Sequence, residues 1–199
     1  MQKLVLATRN EGKLKELKEL LKGLPVELLS LLDFDIPDIV EDGETFKANA
    51  LIKANTVFEQ TGIPSIADDS GLEVDYLNGQ PGVLSARFAG EHGNDIANYE
   101  KVLQLLEGVP FAKRRARFKS VIAIVGLTKE AITTTGTCEG VITNEPHGHN
   151  GFGYDPIFWV PDFERTMAEL SLEKKNIISH RGTAFKKAKN ELVKVLSWG

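Results

Sequence analysis

One cysteine in 199 residues, Cys138, leaves no partner for an internal disulfide and excludes a zinc site built from cysteines. A reducing compartment suits such a chain, and a cytoplasmic location is expected. No apolar run is long enough to span a bilayer, and the run in "MQKLVLATRN" is too short for a signal peptide, so neither membrane association nor export is expected. A basic excess is missing too. The 24 Lys and Arg stand against 28 Asp and Glu, for a formal charge of −4. That balance argues against a protein that grips nucleic-acid backbones, so any anion must be held by a local arrangement of cations. There is no internal repeat, no low-complexity tract, no linker-like shift in composition and no G-x-x-x-x-G-K-[ST] phosphate loop.

What is present is a globular composition, 42% hydrophobic and 26% charged, ample for a core. Residues 3–7 read as a short buried strand. Residues 11–22 read as an amphipathic helix with Leu14, Leu17, Leu20, Leu21 and Leu24 at helical spacing, stopped by Gly23 and Pro25. A second helix over 45–60 carries Phe46, Ala50, Leu51, Ala54, Val57 and Phe58, and Gly62-Ile63-Pro64 ends it. An apolar strand-like run over 64–67 follows, which Asp68 and Asp69 are expected to end. A third helix from Asn94 or Asp95 to Leu106, two strands over 116–125 and 131–137 joined as a hairpin around Gly126, and helices over 171–178 and 183–196 complete the chain. Strands mixed with helices predict a mixed α/β sheet, a single domain over 1–199 with two lobes and a cleft.

Three groups of residues carry chemistry. In "ATRNEGK" a strand breaks and a helix opens. Thr8, Arg9, Asn10, Glu11 and Gly12 thus lie where free backbone N–H groups and the helix dipole favour an anion, with Arg9 and Lys13 as cations. The plainer account makes Asn10 a helix cap and Lys13 a solvated first-turn lysine. In "VEDGETF" and "SIADDSG" two acidic loops offer Glu41 and one of Asp68 and Asp69 as ligands for Mg²⁺, leaving the other carboxylate as a base and Ser70 as a small hydroxyl for phosphate. The plainer account is a turn. Lys53 falls on or beside the apolar stripe of its helix, where it either snorkels to water or meets an anion.

In "GFGYDPIFW" aromatic residues alternate with glycine around Phe152, Gly153, Tyr154 and Asp155, which allows a flat ligand to stack while backbone comes near. "SHRG" adds His180 and Arg181, donors that favour a 6-oxo purine over adenine. Core filling and a pair of cations at a helix terminus are the plainer accounts. His147 and His149 read as loop residues rather than metal ligands, and Lys113, Arg115, Arg117 and Lys119 as one solvated strand face.

Taken in order, "LATRNEGKLKEL", "EDGETFKANALIKA", "IADDSGLEVDYLNGQPGVLSARFAG", "GFGYDPIF" and "AELSLEKKNIISHRGTAF" closely resemble the inosine triphosphate pyrophosphatase family, over residues 3 to about 196. The resemblance implies an elongated, two-lobed mixed α/β fold with a central cleft, a homodimer, and Mg²⁺-dependent conversion of dITP, ITP and XTP to monophosphate and pyrophosphate. It further implies that Thr8, Asn10, Lys13 and Lys53 hold the triphosphate, that Glu41 and Asp69 take the metal, and that Asp69 serves as proton acceptor beside Asp68. Ser70 would touch phosphate. Phe152, Gly153, Tyr154 and Asp155 would pack the base and sugar, with Lys175, His180 and Arg181. Many relatives have glutamate where this chain has Ala48, which removes half of a capping box begun by Thr45. Pyrophosphate release from pyrimidine or modified nucleotides, or a non-catalytic binding role, are the other functions the residues allow.

Overall fold

In the computed structural model, which describes residues 2–197, seven strands and five helices account for most of the chain. The strands are β1 (Gln2–Leu6), β2 (Val26–Ser30), β3 (Ser65–Val74), β4 (Arg115–Val125), β5 (Ile132–Ile142), β6 (Phe158–Val160) and β7 (Arg165–Thr166). The helices are α1 (Glu11–Leu20), α2 (Phe46–Thr61), α3 (Asp95–Leu105), α4 (Leu172–Ile178) and α5 (His180–Ser197). The strands are hydrogen-bonded in the order β2-β1-β3-β4-β5-β6-β7. β1 runs parallel to β2 and β3, whereas β6 is antiparallel to β5 and β7, so the sheet is mixed as expected. β4 and β5 are neighbours joined around Gly126, as a hairpin requires.

Two compact units divide the chain. The first comprises Met1–Asp69, Ser120–Gly136 and Arg181–Gly199, and the second Ser70–Lys119 and Thr137–His180. In the first unit, Leu4, Leu6, Ile66, Ile122 and Ile124 from the strands pack with Leu14 and Leu17 of α1 and with Ala184, Phe185, Ala188 and Leu192 of α5. In the second, Leu72 and Val74 pack with Val102 of α3, Phe118 of β4 and Phe158 of β6. Cys138 is buried there, and burial, with the nearby Glu139 charge, pushes its thiol up to about 11.

The helix boundaries follow local chemistry. Asn10 accepts from Lys13 N at 2.9 Å, and Thr45 accepts from Ala48 N at 3.1 Å. Gly62, at φ 67°, ends α2 with its N–H on Phe58 O. The methyl side chain of Ala48 cannot return a bond to the backbone of Thr45, so only half of the box forms. Residues 180–182, expected between two helices, instead form the first turn of α5.

The principal correction concerns β3. Asp68 and Asp69 do not end the strand; it continues through both to Val74, and both are buried. Successive strand residues point to opposite faces, so the two carboxylates are separated rather than crowded. Ile66 packs among α1 and α5, and Asp68 bonds Lys13 of α1 and Arg181 of α5. Ser65 Oγ instead donates to Ala54 O of α2 at 2.6 Å, and Asp69 meets Lys53 of the same helix. The strands β2, β6 and β7, which have no clear period in the sequence, are additional.

Gly126 turns between β4 and β5 at φ 87°, and a Cβ placed there would fall on the ring of Phe58. Gly126→Ala is therefore expected to cost about 2–5 kcal/mol, the sum of a left-handed backbone and overpacking. Urea unfolding monitored by circular dichroism measures it.

Candidate active site

Within the first unit, four carboxylates are interleaved with three cations. Lys53, on the inward stripe of α2, is 7% exposed, and its ammonium donates to Glu41 Oε2 at 2.7 Å and Asp69 Oδ1 at 2.9 Å. It has met an anion rather than snorkelled. Beside it, Lys13 Nζ lies 2.9 Å from Asp68 Oδ2, so Lys13 is not the solvated first-turn residue of the plainer account. Arg181 reaches the same oxygen at 3.4 Å and Glu16 Oε2 at 3.0 Å, and Ser120 Oγ donates to Asp68 Oδ1 at 2.5 Å.

The two adjacent aspartates consequently differ in acidity. Burial pushes the Asp68 carboxyl up, but Lys13, Arg181 and the Ser120 hydroxyl outweigh it and hold the group far below the usual carboxylate range. Asp69 moves the other way. Burial raises it to about 6, although Lys53 and Lys13 pull down, and Glu41 adds repulsion. Burial also raises Glu41, but Lys53 prevails and the net shift is downward. A single ammonium is shared by two carboxylates, and the more exposed one is left the stronger acid. Burial disfavours the charge on Lys53, but Asp69 and Glu41 together raise its pKa. Asp69 Oδ2 is buried and accepts from no protein donor, while the Asp69 and Glu41 carboxyls lie within hydrogen-bonding reach of one another.

The remaining residues of the amino-terminal turn are placed less uniformly. Thr8 Oγ1 accepts from Asn10 N at 3.2 Å, and the Asn10 side chain caps α1. Glu11 is exposed and Gly12 half-buried, both in the first turn, whose N–H groups have no intrahelical acceptor. Arg9 is not part of the carboxylate cluster. Its guanidinium bonds Asp38 and the carbonyl of Ile36.

In the second unit, Asp155 Oδ2 accepts from Phe152 N at 2.9 Å and from Lys175 Nζ at 2.7 Å, and the same ammonium lies 4.7 Å from the centroid of the Phe152 ring. Gly153 N donates to Asp95 Oδ2 at 2.7 Å. Tyr154 is buried in the core and donates to Ser85 O at 2.7 Å, and burial raises its phenol. The His180 ring stacks on Phe118 at 4.8 Å. Ser70, the first residue of this unit, is half-buried. Arg181, expected with the base-side residues, instead has its guanidinium on Glu16 and Asp68 of the first unit. The polar face at the start of β4 is charge-balanced: Arg117 bonds Asp75 and Glu139 and lies 3.7 Å from Glu73, to which Lys119 also pairs.

Glu16, Ser120 and Asp95 are the residues that the motifs alone do not single out. Glu16 follows Lys13 by one helical step and borders Leu17. Ser120 occupies the buried register of β4 between Phe118 and Ile122, a polar interruption in an apolar face. Both signals were present in the spacing.

The carboxylate donors fit a hard divalent cation. Glu41 and Asp69 supply oxygen, and the unpartnered Asp69 Oδ2 is a lone-pair site that no protein donor fills. Among the described residues no group of three or more His, Cys, Asp or Glu is placed to hold a metal ion.

Residues 4–191 match the model of the Ham1 family. The chain is 56% identical to a dITP/XTP pyrophosphatase of Desulforamulus reducens over 94% of this chain and 93% of that one. It is 53% identical to a dITP/XTP pyrophosphatase of Bacillus licheniformis, over 94% and 96%. The solved structure of a HAM1 protein from Coxiella burnetii superposes with a TM-score of 0.90 at 45% identity, covering 98% of this chain and 100% of that one.

Because Asp68 ionises at lower pH folded than unfolded, it stabilises the fold above about pH 4, and that contribution is lost as pH falls below this value. Asp68→Asn leaves Lys13 and Arg181 without their shared anion. It is expected to cost about 3–5 kcal/mol at neutral pH and to flatten the acid limb of the stability profile. Urea unfolding of the metal-free protein from pH 3 to 8 checks both.

Proposed function

The chain belongs to the Ham1 family, and from that premise we propose that it hydrolyses the non-standard purine nucleoside triphosphates dITP, ITP and XTP to the monophosphate and pyrophosphate. The observation that carries the reading is Asp69. Its Oδ2 is buried beside the Lys53 ammonium and accepts from no protein donor, while its neighbour Asp68 has every oxygen engaged by Lys13, Arg181 or Ser120. Of the two aspartates, Asp69 is therefore the base and Asp68 the anchor for the cations.

In the proposed reaction, Asp69 accepts a proton as a water oxygen bonds to the α-phosphorus, and the bond from that phosphorus to the bridging oxygen breaks, releasing pyrophosphate. Lys13 and Lys53 offset the charge that gathers on the phosphate oxygens. Thr8, Asn10 and the first-turn N–H groups of Glu11 and Gly12 position the chain of phosphates, with the helix dipole adding about 0.3–1 kcal/mol. Mg²⁺ held by Glu41 and Asp69 would supply further neutralisation of phosphate charge. Arg181 acts by fixing Asp68, and Arg9, paired with Asp38 at the surface, is a further cation beside the same turn. Catalysis of this kind is positioning and electrostatics.

Base recognition is assigned to the second unit, where the glycine-flanked Phe152 and the donors Lys175 and His180 suit a 6-oxo purine. Adenine would present its own donor to them, at a cost of about 1–3 kcal/mol. Ser70 is assigned to phosphate. No helix among the described residues is long and apolar enough to cross a membrane. A homodimer in the reducing cytoplasm belongs to the same proposal, supported by the family resemblance, and sedimentation equilibrium at twice 21.9 kDa would be its sign.

A panel of nucleoside triphosphates assayed for pyrophosphate against orthophosphate tests the function. Pyrophosphate release is expected from dITP and XTP at least about tenfold faster than from dATP. Orthophosphate as the product, or a preference for pyrimidine nucleotides, overturns it. Asp69→Asn is expected to lower kcat by about 10²–10⁴, with dITP binding still measurable by calorimetry.

A further inference from the structure

The loop over 151–155 contains two glycines in the left-handed region, Gly151 at φ 80° and Gly153 at φ 65°. Such a segment has wide conformational freedom, so its shape must be imposed by its hydrogen bonds. One set centres on Asp155, whose Oδ2 takes both the Phe152 N–H within the loop and the Lys175 ammonium of α4. The other set comes from residues 85–95, where Ser85 O accepts from Tyr154 Oη and Asp95 Oδ2 accepts from Gly153 N, each at 2.7 Å.

Asp95 opens α3, yet its carboxylate does not cap that helix. Asn94 does so, accepting from Ala97 N at 3.1 Å. The Asp95 carboxylate is spent instead on a backbone N–H 58 residues away. A charged acceptor makes a shorter and stronger bond than a neutral one, and this one grips the peptide between the two aromatic residues of the loop.

We propose that Asp95 is a positioning residue for the purine base: by holding the Gly153 N–H it fixes the backbone between Phe152 and Tyr154 and so sets the Phe152 ring on which the base lies. The inference rests on the function proposed above only in taking this loop as the seat of the base. Asp95 is no member of the carboxylate cluster, so its loss is expected to affect recognition of the base and leave the phosphate chemistry intact.

The test compares Asp95→Ala with Asp95→Asn, whose amide oxygen still accepts from Gly153 without the charge. Asp95→Ala is expected to raise KM for dITP on the order of tenfold with kcat within about twofold of the parent, whereas Asp95→Asn stays within about threefold in KM. The inhibition constant of inorganic tripolyphosphate, which has the phosphate chain without a base, is expected to be the same in all three proteins. An unchanged KM for dITP in Asp95→Ala, or equal weakening of dITP and tripolyphosphate, overturns the proposal. So does an Asp95→Asn variant as impaired as Asp95→Ala, the result expected of a charge acting on the helix terminus. Calorimetric binding of inosine monophosphate gives a readout free of turnover. If the parent protein releases no pyrophosphate from dITP, the proposed function fails, and this binding alone decides the role of Asp95. About tenfold weaker binding by Asp95→Ala supports it, equal binding overturns it, and no binding by the parent overturns both readings.

Discussion

A strand places consecutive side chains on opposite faces, and in β3 this period of two falls on a pair of adjacent acids. Everything in the first unit's polar cluster depends on that division. Asp68 is turned to α1 and α5, where two cations and a hydroxyl saturate it; Asp69 is turned to α2, where it must share one lysine with Glu41. Two carboxylates in direct succession thereby acquire opposite electrostatic surroundings without any distortion of the backbone. A shift of one residue in the register of β3 would turn each aspartate to the opposite face and take Ile66 and Leu72, both wholly buried, out of their places in the two cores.

Charge compensation explains how so polar a cluster survives in an interior. Burying an unpaired carboxylate costs several kcal/mol, and burying an unpaired ammonium costs as much. Here each group partly offsets its neighbour, in a chain that runs Glu41, Lys53, Asp69 on one face and Lys13, Asp68, Arg181, Glu16 on the other. The arrangement is not complete. One lysine cannot satisfy two carboxylates, and the deficit is concentrated on Asp69, the group left with an unused oxygen. A stability-optimised core would have no such deficit, which is why it reads as function rather than architecture.

Much of this was legible from spacing. The amphipathic helices α1, α2, α3 and α5, the hairpin of β4 and β5 and the inward position of Lys53 all follow from periodicity, because burial on one side imposes it. The short strands β2, β6 and β7 did not, since two to five residues carry too little pattern. The acidic pair was misjudged as a strand end for a definable reason: local propensity disfavours Asp in a sheet, and the cations that reverse the preference come from positions 13, 53 and 181. The ion pairs of Arg181 with Glu16 and Asp68 were hidden for a related reason. The adjacent His180 faces Phe118, and adjacency in sequence suggested shared duty where the helix turn separates them.

The sole thiol has a practical corollary. Cys138 is enclosed and its proton is held more tightly than that of a free cysteine, so at neutral pH almost none of it is in the nucleophilic form. Maleimides and haloacetamides should pass the folded chain by. A single cysteine introduced at an exposed position, such as Glu11 beside the amino-terminal turn, would be the one reactive handle, ready for a fluorophore or spin probe without first removing the native residue.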